Sequence, residues 1–217
     1  MSNILLFIMF CVLFFMTTVK EGYLNRLSPT TGHEPHYEPQ KWNSDPNITS
    51  SHNCYAYMLD DINPYGPEIC KKRGLEYCRR RTKPVPGNYT GIRPSKTSCK
   101  QLTDGMITDN PNIYSIPFDA KCKKNYKGAL SINPGSSGPY HFFRQDNSGM
   151  WSQKFGHWKA TNLDGDGKLI ADPRTAKPIH KVGNEYKFCG YFCVPSNKYK
   201  ETNTARLISN IRHPKNS

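Results

Sequence analysis

Two residues have types and surroundings that could do covalent chemistry, and they lie far apart in the chain. Cys54 stands in Ser50-Ser51-His52-Asn53-Cys54-Tyr55-Ala56-Tyr57-Met58-Leu59, which reads as a cysteine opening a short amphipathic helix. His141 stands in Tyr140-His141-Phe142-Phe143-Arg144-Gln145, which reads as the first strand of a hairpin. A cysteine attacks a carbonyl only as thiolate, and a helix N-terminus and a neighbouring imidazole are two devices that lower its pKa. The pattern therefore points to a thiol nucleophile and its base. The alternative is structural: a buried cysteine packing as a small hydrophobe, and a histidine among aromatics satisfied by a carbonyl.

The hairpin supplies the rest of the candidate site. Residues 140–145 and 150–154 form its strands, with Asp146-Asn147-Ser148-Gly149 as the turn. In a period-two strand His141, Phe143 and Gln145 share one face. Pairing across the turn brings Gln153 near His141, so that a base and its orienting group lie side by side, facing the helix that carries the thiol. His157, four residues on, is a second group that could steady the ring, and His52 is a rival base whose adjacency to Cys54 gives poor geometry for proton transfer.

Cysteine counting singles out the same residue. Of 8 cysteines, Cys11 lies in an N-terminal apolar run, leaving Cys54, Cys70, Cys78, Cys99, Cys122, Cys189 and Cys193. In an oxidising compartment the last six are candidates for three disulfides and one thiol is left over. A zinc site from Cys189, Cys193, Cys70 and Cys78 is the weaker reading, because the second pair is spaced too widely. Asn47-Ile48-Thr49 and Asn88-Tyr89-Thr90 are glycosylation sequons, which agree with an exported domain.

The elements that must position these groups are short. The chain has 217 residues, 36% hydrophobic, with 16 Gly and 17 Pro, a composition that favours short strands and turns over long helices. Residues 4–19 are almost wholly apolar and are expected to be a retained membrane anchor or a signal segment. The expected organisation is a membrane segment over residues 1–20, an extended proline-punctuated linker over 21–50, the α+β domain over 51–195 and a basic polar tail over 196–217. Membrane lipid is the expected partner of the first segment. The net charge of +13 favours an anionic polymer or protein partner without selecting one, and no nucleic-acid module is present.

Asn162, Asp164 and Asp166, with Gly167 at the sixth position, copy the first half of an EF-hand loop. Pro173 stands where the bidentate glutamate belongs, so a hairpin turn is the better reading and calcium the weaker one. No cofactor is expected.

The blocks Asn53-Cys54-Tyr55-Ala56-Tyr57, Tyr140-His141-Phe142-Phe143-Arg144-Gln145-Asp146, Gly149-Met150-Trp151-Ser152, Asn162-Leu163-Asp164 and Phe188-Cys189-Gly190-Tyr191-Phe192-Cys193-Val194-Pro195 resemble poorly characterised proteins of bacteria and large DNA viruses. Those in turn are similar to NlpC-type papain-like cysteine amidases and peptidases. The resemblance implies an α+β, papain-like fold: a small antiparallel sheet packed on a cysteine-bearing helix and preceded by the membrane segment. It implies Cys54 as nucleophile, His141 as base and Gln153 in the third polar position. Gln153 replaces the histidine expected there, and Val85 replaces an expected glutamine; a Gln stabilises an imidazolium less than a charged partner would.

Two functions follow as expectations. The first is a membrane-anchored thiol hydrolase cleaving an amide bond in a peptide or cell-wall-like polymer. The second is a non-enzymatic, tethered structural or attachment protein, such as a virion membrane component, on a degenerate version of the same fold. The domain is expected on the exported or lumenal side or in a virion membrane, or secreted if the apolar segment is cleaved.

Overall fold

The computed structural model describes residues 27–87, 97–133, 139–177, 179 and 186–196. Its centre is a six-stranded antiparallel sheet in the order β1-β6-β2-β3-β4-β5. The strands are β1 (Tyr114–Ile116), β2 (Asn125–Ile132), β3 (Tyr140–Gln145), β4 (Trp151–Lys154), β5 (Ala160–Thr161) and β6 (Lys187–Pro195). The β3–β4 hairpin forms as its alternation and Asp-Asn-Ser-Gly turn predict, with Gly149 at φ 83° closing the turn.

Among the described residues six helices accompany the sheet: α1 (Pro39–Asn43), α2 (Pro46–Ser51), α3 (Cys54–Met58), α4 (Tyr65–Arg73), α5 (Leu75–Arg81) and α6 (Cys99–Asp109). Local chemistry sets their starts. Asp45 caps α2 ahead of Pro46, Asn53 accepts from the Ala56 amide to cap α3, and Ser98 accepts from the Gln101 amide to cap α6.

The two faces of the sheet bury different sets. Leu130, Ile132, Phe142, Phe192 and Val194 pack with Cys54, Tyr55, Met58, Leu102 and Met106, so α3 and α6 cover one face. Ala129, Phe143, Trp151 and Tyr191 form a second cluster on the other. The approach of α3 is close: a Cβ added to Gly128 would lie 2.6 Å from Met58 Sδ. Every residue of α3 is buried, so it is a core helix and not the amphipathic one expected.

Three disulfides, Cys70–Cys78, Cys99–Cys189 and Cys122–Cys193, use all six candidate cysteines. Cys54 is the free cysteine among the described residues. The two long-range bridges span 90 and 71 residues and in the chain-entropy account are worth about 4–5 kcal/mol each.

The expected fold is corrected in several respects. The architecture is α+β with an antiparallel sheet, but the sheet has six strands and is not small. No helix among the described residues is long and apolar enough to cross a membrane, and the expected membrane segment over 1–20 lies outside the described residues. Nor are residues 28–50 an extended linker. They carry α1 and α2, bury Trp42 and bond to the sheet, with Thr31 Oγ1 donating to Asn125 O at 2.9 Å and Gln145 Nε2 to Ser28 O at 2.7 Å. Prolines at helix starts, where the missing donor costs nothing, made this stretch look extended. The tail over 197–217 lies outside the described residues.

Arg144 ties these parts together. It is 1% exposed and pairs with Asp60 at 2.8 Å and Asp146 at 3.1 Å. It also donates to His36 O at 3.3 Å and Tyr57 Oη at 3.2 Å, and lies 4.2 Å from the centroid of the Tyr57 ring. Removing it leaves Asp146 in the interior without its cation and Asp60 with Lys41 alone. Arg144→Met is expected to cost about 3–5 kcal/mol in urea unfolding, a loss far beyond that of an exposed ion pair such as Lys100–Asp104.

Candidate functional site

Cys54 opens α3 but is almost fully buried, with 4% exposure. Its Sγ lies 3.9 Å from Tyr140 O on the backbone of β3. Burial pushes the thiol up to about 11, against the smaller opposing pull of the Phe142 amide, the Lys154 charge and the amides of the helix start. Five residues of helix carry too little aligned dipole to reverse that.

His141 is held as the hairpin geometry predicts. Its Nε2 meets Gln153 Oε1 at 2.7 Å, and Gln153 Nε2 donates to Leu163 O at 2.7 Å. The second bond fixes the amide, so the first is donated by the imidazole, which leaves Nδ1 as the acceptor in the neutral ring. Phe143 and Phe155 contact the ring at 4.7 and 5.2 Å between centroids. A cavity of about 40 Å³ adjoins it, lined also by Arg174, Tyr186 and Phe188.

Sγ stands against the backbone on either side of His141, at the Tyr140 carbonyl and the Phe142 amide. Tyr140 and Phe142 belong to the helix side, packed with Cys54, while His141 and Phe143 alternate to the other. His157 lies in the turn 155–158, stacked on Trp158; burial first, then Lys83, Arg79 and Lys154, hold its pKa below the usual value.

His52 is a structural group. Its Nε2 accepts from the Asn63 amide at 2.9 Å, which puts the proton on Nδ1 facing Ile48 O at 3.0 Å. Burial lowers its pKa.

The remaining candidates resolve locally. Asp164 Oδ1 accepts from the amides of Asp166 and Lys168, and Oδ2 from that of Lys177, so this carboxylate organises a turn. Asn162 closes the same hairpin, its carbonyl accepting from the Ile170 amide. No cluster of three or more His, Cys, Asp or Glu suited to a metal occurs among the described residues. The Asn47 amide nitrogen donates to Asp45 Oδ1 at 2.8 Å at the start of α2; Asn88 lies outside the described residues.

One buried group escaped sequence reasoning. Lys154 is fully buried and donates to Thr49 O, His52 O and Gly156 O at 2.7, 2.7 and 2.9 Å. Burial pushes its ammonium down to about 7, with the Lys83 charge acting in the same direction. The alternation that placed Gln153 beside His141 also puts Lys154 on the helix side, which was the available signal.

These features define a disulfide-braced α+β domain whose reactive thiol is sequestered in the core. The chain is 31% identical over 140 residues to Insoluble matrix shell protein 1 of Ruditapes philippinarum, across 64% of this chain and 79% of that protein. It belongs to the family of that shell protein. No protein-family model matches the chain, and no solved structure does.

Two outcomes follow from burial. In the folded protein Cys54 should resist iodoacetamide at mildly alkaline pH and react once guanidinium unfolds the chain, as mass spectrometry of the labelled peptide reads out. The Lys154 ammonium is easier to deprotonate folded than unfolded. Between about pH 7 and 10.5 the unfolded chain therefore binds more protons, and stability rises with pH. Urea midpoints should climb from pH 7 toward 9, and Lys154→Met should remove the part of the rise that begins at pH 7.

Proposed function

We propose that this protein is a non-catalytic structural component of an extracellular matrix, secreted and braced by its disulfides. The observation that carries the reading is its membership in a family represented by a protein named for an insoluble shell matrix. The described structure supports it in two ways. Three disulfides suit an oxidising compartment. The thiol that a hydrolase would need is buried, and burial raises its pKa.

The resemblance to NlpC-type amidases and peptidases is retained as a proposal about descent, supported by the blocks around Cys54 and His141. On this reading Cys54 fills core volume and the His141–Gln153 bond fixes the hairpin. Cys54→Ala should therefore leave the structural role intact.

Fractionation of the producing tissue tests the proposal. The protein is expected in the secreted, insoluble fraction, released by denaturant together with a reductant. Recovery as a freely soluble intracellular protein would overturn it. So would amide hydrolysis by the purified protein that disappears in Cys54→Ala.

A further inference from the structure

Two neighbouring helices carry a concentration of basic residues. In α4 and α5 the positions Lys71, Lys72, Arg73, Arg79, Arg80 and Arg81 are all exposed, while Glu68 and Glu76 are the acids of those helices. The Cys70–Cys78 disulfide clamps one helix to the other. The cations at the end of α5 are thus presented from a rigid hairpin, and little chain entropy is lost when they are engaged.

That end of α5 meets the turn 155–158. Lys83 Nζ lies 4.0 Å from where a Cβ on Gly156 would stand. Next to it His157 stacks on Trp158 with centroids 5.6 Å apart and planes 24° from parallel. Trp158 is 54% exposed, although a residue of its size normally finds cover. Its amide donates to Phe155 O at 2.8 Å, which fixes the turn that displays it. The buried Lys154 ammonium sits beneath the same turn, bonded to Gly156 O.

The positive potential here registers on its own members. His157 is held below its usual pKa by burial and then by Lys83, Arg79 and Lys154. Lys83 is lowered chiefly by burial, with Arg79 adding to it and Cys54 opposing. Glu76 offsets part of the field, at 3.7 Å from Arg79 and 3.0 Å from Arg80. It is 67% exposed, and such pairs are weak enough for an incoming anion to replace.

We propose that Arg79, Arg80, Arg81 and Lys83, together with the His157–Trp158 platform, form a binding surface for a sulfated polysaccharide. Guanidinium forks match the oxygens of a sulfate group bidentately. The exposed indole offers a flat apolar face to a sugar ring whose anionic substituents project from the ring edge. Duplex nucleic acid fits less well, because it calls for phosphate contacts spread along a groove, whereas Arg79 and Lys83 act together on the single aromatic platform at His157. Disulfide bonding also places the domain where sulfated glycans occur and nucleic acid does not. The assignment rests on the matrix reading above and names the polymer that the protein would hold there.

The test titrates the full chain with chondroitin sulfate and, separately, with a short DNA duplex over a range of salt. Arg79→Ala/Arg80→Ala/Arg81→Ala is expected to weaken chondroitin sulfate binding about tenfold or more and to lower the salt slope by about two to three. Trp158→Ala is expected to weaken binding about five- to fiftyfold with the salt slope unchanged, as loss of a stacking platform does. Lys121→Ala/Lys123→Ala/Lys124→Ala removes the same number of charges from another exposed segment and is the control, with an expected change under about twofold. In the complex the His157 resonance should titrate at higher pH, because a bound sulfate offsets the surrounding cations.

Equal losses in the two triple variants would overturn the proposal and leave a net-charge effect. Tighter binding of the duplex, with Trp158→Ala silent, would overturn it in favour of nucleic acid. Failure to bind chondroitin sulfate at low salt would also overturn it. None of these outcomes touches the tissue fractionation, which decides the matrix reading separately.

Discussion

The guanidinium of Arg144 is the constraint on which most of this domain depends. It reaches from the middle strand pair to the end of α3 through Asp60, to the hairpin turn through Asp146 and to the N-terminal stretch through His36 O. A buried charge is tolerated only when its donors find partners, so three segments distant in sequence must arrive together before the cation can be covered. Asp60, which adopts φ 48° just beyond α3, accepts from both Arg144 and Lys41. The short N-terminal helices are part of the fold because they help to enclose this cation.

The same demand explains how so basic a chain can hide lysines. Lys154 gives its protons to three backbone carbonyls, and Lys127 gives its own to Ser28 Oγ, Pro29 O and Phe118 O. Neutral oxygens satisfy the donors, and burial outweighs the pull of Glu34 and Asp119 on Lys127, so both ammonium groups become easier to deprotonate. Both lysines cross-link the N-terminal half of the chain to the sheet. Together with the long-range disulfides they make stability a matter of contacts between remote segments, not of long helices.

Function follows from what this packing leaves outside. The core closes over Cys54, and Gln153 holds the ring of His141 on β3. Family membership with a shell matrix protein agrees with a durable extracellular role. The exposed assets are cations and a tryptophan at one end of a clamped helical hairpin. The rigidity beneath such a surface determines how much binding free energy is lost to ordering.

The sequence by itself determined the local and the combinatorial features. Asn53 as a cap set the start of α3, the alternation around Asp-Asn-Ser-Gly set the β3–β4 hairpin and the bond from His141 to Gln153, and the odd cysteine number matched one free thiol beside three bridges. These depend on contacts within a dozen residues, or on counting. Tertiary structure alone decided which cysteines pair, that residues 28–50 fold onto the sheet, and that α3 packs on the face of the sheet that carries Phe142. A strand's period of two says which side chains share a face but not which face a remote helix will cover. That choice is made by apolar area and by the enclosure of Arg144, and both are sums over segments that no local window contains.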